Sequence, residues 1–148
     1  MMGEPLRILL VEDNPAHAEL VIRNLRQHRV ANTIRHVSDG EEALHYLLRQ
    51  GQYADAAASP RPHIVLLDLR LPKIDGLEVL KTIKTHAELR LLPVIVLTTS
   101  NAESDVARAY EFRANSYLVK PVDFEKFTEL MENLGFYWLV WNCQPAVS

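Results

Sequence analysis

Three acidic residues, a hydroxyl and a lysine in this chain each follow directly on a short apolar run. Glu12 and Asp13 follow residues 6–11 and Asp68 follows residues 63–67; Thr98 and Thr99 follow residues 93–97, and Lys120 follows residues 117–119. Apolar runs bounded by charge or proline read as strands buried on both faces. If the strands are parallel, their ends share one edge of a sheet, where open α/β folds bind ligands. There the carboxylates of Glu12, Asp13 and Asp68 would meet the Thr98 hydroxyl and the Lys120 ammonium. Each residue alone has an ordinary explanation, as a helix-start acid, a turn hydroxyl or a surface charge. Four strand ends coinciding in this way favour a site.

Three carboxylates a few ångströms apart repel, each pair costing roughly 4 kcal/mol at about 4 Å and an effective dielectric of about 20. Either one is protonated or a hard divalent cation sits among them. Oxygen-only ligands suit Mg²⁺ (or Mn²⁺), which binds through one or two carboxylates plus a phosphate. Lys120 adds a fixed positive charge, Thr98 a hydroxyl donor, and the turns after Asp68 and Thr98 add backbone donors. This is the inventory of a phosphoryl cradle. A carboxylate at its centre makes Asp68 the candidate nucleophile, to become an aspartyl phosphate.

The elements that must position these groups alternate along the chain. After the strand at 6–11, Asn14-Pro15 opens an amphipathic helix to about His28, with Ala18, Val21, Ile22 and Leu25 on one stripe. Residues 33–37 predict a short edge strand, and Ser38 or Asp39 caps a helix carrying Ala43, Leu44, Leu47 and Leu48. Residues 51–62, rich in Ala, Gly, Ser and Pro, predict a long inserted surface loop. Further helices are expected from Gly76 to about His86 and from Glu103 to about Arg113. A last helix is capped by Asp123 and carries Phe124, Phe127, Leu130, Met131 and Leu134. Alternating strands and helices at this spacing predict a parallel sheet with helices on both faces. His17, His28, His36, His45 and His86 lack paired spacing and read as surface or boundary residues.

Composition narrows the function classes. The chain has 148 residues, 48% hydrophobic and 24% charged, with a net charge of −3. That suits one globular domain and offers no basic run for nucleic acid. One cysteine, Cys143, excludes an internal disulfide and a cysteine zinc site, and fits a reducing cytosol. No apolar stretch is long enough to span a membrane, so a cytoplasmic domain is expected.

Taken together, Leu10-Val11-Glu12-Asp13-Asn14, Leu67-Asp68-Leu69-Arg70-Leu71-Pro72 with Asp75-Gly76, Leu97-Thr98 and Tyr117-Leu118-Val119-Lys120-Pro121 resemble a CheY-like response-regulator receiver domain over nearly the whole chain. The resemblance implies an α/β, flavodoxin-like, doubly wound five-stranded sheet in the order 2-1-3-4-5. It implies Asp68 as phosphoacceptor, with the metal held by Asp13, Asp68 and the Arg70 carbonyl and by Glu12 through water. Thr98, Lys120 and the Thr99 backbone amide would contact the phosphoryl group, and Tyr117 would change rotamer with Thr98. The chain departs from the family at Thr99, where a smaller residue is usual. Arg70 and Ser100 flank the approach of water at positions where the family varies.

After Leu134, Gly-Phe-Tyr-Trp-Leu-Val-Trp is apolar on every side of any helix. This extension, about residues 135–148, is expected to pair two copies rather than fold back on its own core. The expected homodimer uses Val106, Ala109, Tyr110, Phe136, Trp138 and Trp141. The inserted loop and tail resemble the stand-alone response regulators of cyanobacterial phytochromes, implying a phytochrome-type sensor histidine kinase as partner. With no room after the last helix for a DNA-binding domain, the output is expected to be protein binding rather than catalysis. A haloacid-dehalogenase-type phosphatase would need an Asp two residues after the nucleophile, where Arg70 stands. An FMN carrier would need a Ser/Thr/Gly-rich loop in place of Glu12-Asp13-Asn14-Pro15.

Overall fold

The computed structural model describes residues 6–27, 32–99, 103–120, 125–127 and 129. Its strands are β1 (Leu6–Val11), β2 (Asn32–Val37), β3 (Ile64–Leu67), β4 (Val94–Thr98) and β5 (Ser116–Val119), and its helices α1 (Pro15–Gln27), α2 (Gly40–Leu47), α3 (Gly76–Thr85) and α4 (Glu103–Glu111). The strands form one sheet in the order β2-β1-β3-β4-β5, every pair parallel.

Strand periodicity divides the core into two layers. Leu9, Val11, Val65, Leu67, Val94 and Val96 face α2, α3 and α4, against Ala43, Leu47, Val79, Leu80, Ile83 and Ala109. Leu6, Ile8, Leu10, Ile64, Leu66, Ile95 and Leu97 face the other way, against Ala18, Val21 and Leu25 of α1 and Phe127. Central strands buried on both faces explain the continuous apolar runs of the sequence.

The element ends differ from expectation in instructive ways. Strand β3 begins at Ile64 because His63 is a link to the neighbouring strand: its N–H donates to the Arg7 carbonyl at 2.8 Å, and its Nδ1 accepts from the Arg7 N–H at 2.8 Å. Strand β4 begins after Pro93, which has no N–H for the ladder, and reaches Thr98. Of the two cap candidates for α2, the structure uses Asp39, whose Oδ1 accepts from the Glu42 N–H at 2.7 Å. Helix α4 stops at Glu111, and Arg113 adopts a left-handed turn with φ 69°. His28, Ser100, Asp123, Phe124, Leu130, Met131 and Leu134 lie outside the described residues.

Residues 51–62 are more than a surface loop. Gly51–Tyr53 form a 3₁₀ turn that buries Tyr53 beside Tyr46, with ring centroids 5.1 Å apart and nearly perpendicular. The Arg35 guanidinium lies 5.5 Å from the Tyr46 ring centre and 5.8 Å from that of Tyr53. The Tyr46 hydroxyl donates to the Pro60 carbonyl at 2.8 Å, and Ser59 and Pro62 are buried. The insertion thus packs under the edge strand β2 as part of the domain.

Candidate functional site

The backbone lines up the strand ends before any side chain takes part. The Glu12 N–H donates to the Val37 carbonyl, Asp68 to Val11 and Lys120 to Thr98, at 3.0, 3.0 and 2.8 Å. Each ladder therefore extends to the residue that carries the chemistry. Behind Asp68 the turn is held by Gly76, whose N–H donates to the Leu69 carbonyl at 3.0 Å. A Cβ on Gly76 would lie 2.3 Å from the Asp68 carbonyl oxygen and 2.5 Å from the Leu69 Cα. A glycine at position 76 is thus required for α3 to start this close to the Asp68 strand end.

At this edge one carboxylate oxygen from each of Glu12, Asp13 and Asp68 lies within 4.8 Å of the others. Glu12 and Asp68 are buried, with 2% and 7% exposure, and Asp13 is exposed. The Lys120 ammonium donates to Asp68 Oδ2 at 3.1 Å and to Glu12 Oε1. The Arg70 N–H donates to Asp68 Oδ1 at 3.2 Å, and the Asn14 N–H to Glu12 Oε2 at 3.1 Å. Thr98 is fully buried, Thr99 is exposed, and Tyr117 is half-buried on β5 opposite Val96, three residues before Lys120. The structure thus gathers Glu12, Asp13, Asp68, Thr98 and Lys120 at one edge, as their spacing predicts.

The electrostatics leave room for a cation. One ammonium faces three carboxylates, and burial pushes the Glu12 carboxyl up to about 7, with a further upward contribution from Asp68 against the lowering bonds from Lys120 and Asn14. A buried carboxyl held so high by desolvation is relieved by a nearby positive charge. The donor set is carboxylate oxygen from two strand ends, suited to a hard divalent ion. The residues present therefore fit the metal that the sequence implies.

Two features were not read from the sequence. His17, taken there as a surface or boundary residue, faces the pocket: its Nδ1 is 3.1 Å from the Lys120 ammonium and 4.0 Å from Glu12 Oε1. The Asn14 cap places it there, since Asn14 Oδ1 accepts from the Ala16 and His17 N–H groups at 2.9 and 3.2 Å. The cap was legible, and counting round the first turn from it could have found His17. Second, the Arg70 guanidinium donates to Asp105 Oδ2 at 2.7 Å, bridging the turn after Asp68 to the first turn of α4. Only their separation of 35 positions hid that pair.

One expected interface residue is corrected. Ala109 is fully buried in the domain's own core, because it lies on the face of α4 turned to the sheet. Val106 is half-buried, while Tyr110 and Val119 are 49% and 41% exposed and remain available to a partner. Phe136, Trp138 and Trp141 lie outside the described residues.

A parallel sheet in this order, with an acidic cluster, a hydroxyl and a lysine at its C-terminal edge, defines a phosphorylation receiver. The response regulator receiver domain family matches residues 8–132, and the chain belongs to that family. It is 46% identical to the probable methanogenesis regulatory protein FilR2 of Methanothrix harundinacea, over 97% of this chain and 90% of that protein. It is 40% identical to the response regulator Rcp1 of Synechocystis sp., over 96% of this chain and 95% of that protein. The bacteriophytochrome response regulator AtBRR has a similar solved structure, with a TM-score of 0.80 at 46% identity, covering 92% of this chain and 96% of that one. The Mn²⁺-bound form of Rcp1 gives a TM-score of 0.75 over 96% of this chain and 100% of that one, at 40% identity. The phosphorylated cyanobacterial phytochrome response regulator RcpA gives 0.76 at 38% identity, over 93% and 95%. Among the described residues no helix is long and apolar enough to cross a membrane.

Proposed function

We propose that Asp68 is the phosphoacceptor of this response regulator and that a phytochrome-type sensor histidine kinase supplies its phosphoryl group. The carrying observation is the position of Asp68, whose two carboxylate oxygens each accept one bond, Oδ2 from Lys120 and Oδ1 from the Arg70 N–H. Mg²⁺ or Mn²⁺ held by Asp13, Asp68 and the Arg70 carbonyl, with Glu12 acting through water, would neutralise charge on the carboxylates and the incoming phosphoryl group. In the transfer, an Asp68 carboxylate oxygen bonds to phosphorus as the phosphorus–nitrogen bond of the donor phosphohistidine breaks. The electron pair of that bond remains on the donor imidazole. Lys120 follows the developing charge, and its ammonium shifts from carboxylate to phosphoryl oxygen.

The buried Thr98 hydroxyl and the Thr99 amide then donate to the phosphoryl oxygens. Drawing Thr98 inward opens space for the half-buried Tyr117 ring, a two-state element biased by one charge-assisted contact. Its output is binding: a homodimer built on Val106, Tyr110 and the aromatic tail with Phe136, Trp138 and Trp141. The relatedness to phytochrome regulators supports this choice of kinase, and the presence of Mn²⁺-bound and phosphorylated relatives supports the chemistry. The test is phosphotransfer from a red-light-sensing histidine kinase in dark and light, alongside a kinase of unrelated specificity. Faster, light-dependent transfer from the former is expected. Equal transfer from both would remove the phytochrome assignment.

A further inference from the structure

Lys120 has one acceptor more than a carboxylate clamp requires. Its ammonium donates to Glu12 and Asp68, and the third contact, at 3.1 Å, is to His17 Nδ1. An ammonium can only donate, so this ring nitrogen must accept and the ring hydrogen belongs on Nε2. The ring is placed by α1, whose first turn is fixed by the Asn14 cap. It sits at the rim, with 39% of the side chain exposed, over a Glu12 side chain that is 2% exposed.

Two of the three acceptors are groups that a divalent cation also needs. When a cation draws on Glu12 and Asp68, Lys120 must give up part of its hold on them. A buried ammonium with no replacement acceptor would resist that exchange. We propose that His17 is a positioning residue for Lys120, the neutral acceptor that holds its ammonium on the α1 side of the pocket so that cation and phosphoryl group can take the carboxylates. This rests on the proposed role of Asp68, yet concerns a step that precedes phosphorylation. His17 acts through Lys120 and touches neither the cation nor the phosphoryl group.

The test is Mg²⁺ binding to the unphosphorylated full chain, measured by titration calorimetry for the wild type, His17→Ala, His17→Gln, Lys120→Ala and the double variant Lys120→Ala with His17→Ala. Thermal melts of the cation-free proteins run alongside. Loss of one hydrogen bond between a charged donor and a partly exposed acceptor should weaken Mg²⁺ binding in His17→Ala by about three- to tenfold. His17→Gln, whose amide oxygen can accept, should recover most of it. Lys120→Ala should bind Mg²⁺ more tightly than the wild type, and adding His17→Ala to it should change nothing further. Wild-type affinity in His17→Ala would overturn the proposal, as would an equal loss in the Lys120→Ala background, which would make His17 act on the cation directly. Phosphate mapping to a residue other than Asp68, with Mg²⁺ binding still weakened in His17→Ala and restored in His17→Gln, would defeat the functional reading while supporting the role of His17.

Discussion

Among the described residues, Lys84 is buried and Lys120 half-buried at opposite ends of the sheet, and their partners differ. Lys84, 7% exposed on α3, donates to the Leu92 carbonyl at 2.7 Å and to Asn115 Oδ1 at 2.9 Å. Asn115 Oδ1 also accepts from the Val94 N–H at 2.8 Å, where β4 starts. These acceptors are neutral, and burial, helped by the nearby Arg113, lowers the Lys84 pKa. Lys120, at the other end of β4 and β5, faces three clustered carboxylates. Lys84 pins loops together through two neutral acceptors. Lys120 stands in a cluster with more negative charge than it can neutralise, which costs stability unless a cation joins it. Burial alone does not mark a functional lysine; unbalanced partners do.

The largest expected effect separates the two lysines by function. Lys120→Ala removes the fixed charge that follows the phosphoryl group, and should slow phosphorylation of the full chain by acetyl phosphate by on the order of 100-fold. Lys84→Met should leave that rate within about twofold, because Lys84 is not at the site. If both variants transfer equally slowly, the contrast between the two ends fails.

Stability should show the reverse order. Lys84→Met keeps the aliphatic stem but leaves the Leu92 carbonyl without this donor, so urea unfolding should show a loss of about 2 kcal/mol. Lys120→Ala, measured with Mg²⁺ present, should lose less. A fully stable Lys84→Met protein would mean that the lysine is dispensable to the loops it joins.

Glu12 sharpens the comparison through pH. Its pKa rises on folding from the ordinary 4.5 to about 7, so the folded state binds this proton more tightly. That contribution is fully present below pH 4.5 and is lost as pH rises through 7. Cation-free protein should therefore lose on the order of 1–2 kcal/mol of stability between about pH 5 and 8 from this group. Saturating Mg²⁺ should restore it at the upper end, and Glu12→Gln should flatten the dependence. A cation-free stability that increases over that range through Glu12 would reverse the electrostatic account.

Thr98→Ala is expected to act on the readout of phosphorylation rather than on phosphotransfer. It should still be phosphorylated while losing most of the change in self-association on phosphorylation, a coupling typically worth about 1–3 kcal/mol. Sedimentation with and without acetyl phosphate reads this directly, and a normal change in the variant would place the coupling elsewhere.

Much of this was legible because the central strands announce themselves. Residues 64–67 and 94–97 are apolar on both faces and stop at chemistry-bearing residues, so the acidic edge could be assembled from strand ends alone. Sheet order and Mg²⁺ ligation came from family resemblance, since spacing does not decide which strand neighbours which. The insertion misled because its hold on the domain lies in long-range partners: Tyr53 against Tyr46, Tyr46 to Pro60, Arg35 over both rings. Ala109 misled because a small residue on an amphipathic helix reads equally as core or interface. His17 was discounted for lacking a second histidine, although its partner is a lysine 103 positions away.

The central claim is that Asp68 receives the phosphoryl group within a cation-dependent acidic edge. It is tested most directly by phosphorylating the full chain with acetyl phosphate and Mg²⁺, trapping the acyl phosphate with borohydride and mapping the modified peptide. The label is expected on Asp68 alone, to vanish in Asp68→Asn, and to be lost when EDTA removes the cation and leaves the carboxylates to repel the donor. Label on another residue, or undiminished label in Asp68→Asn or in EDTA, would contradict the account.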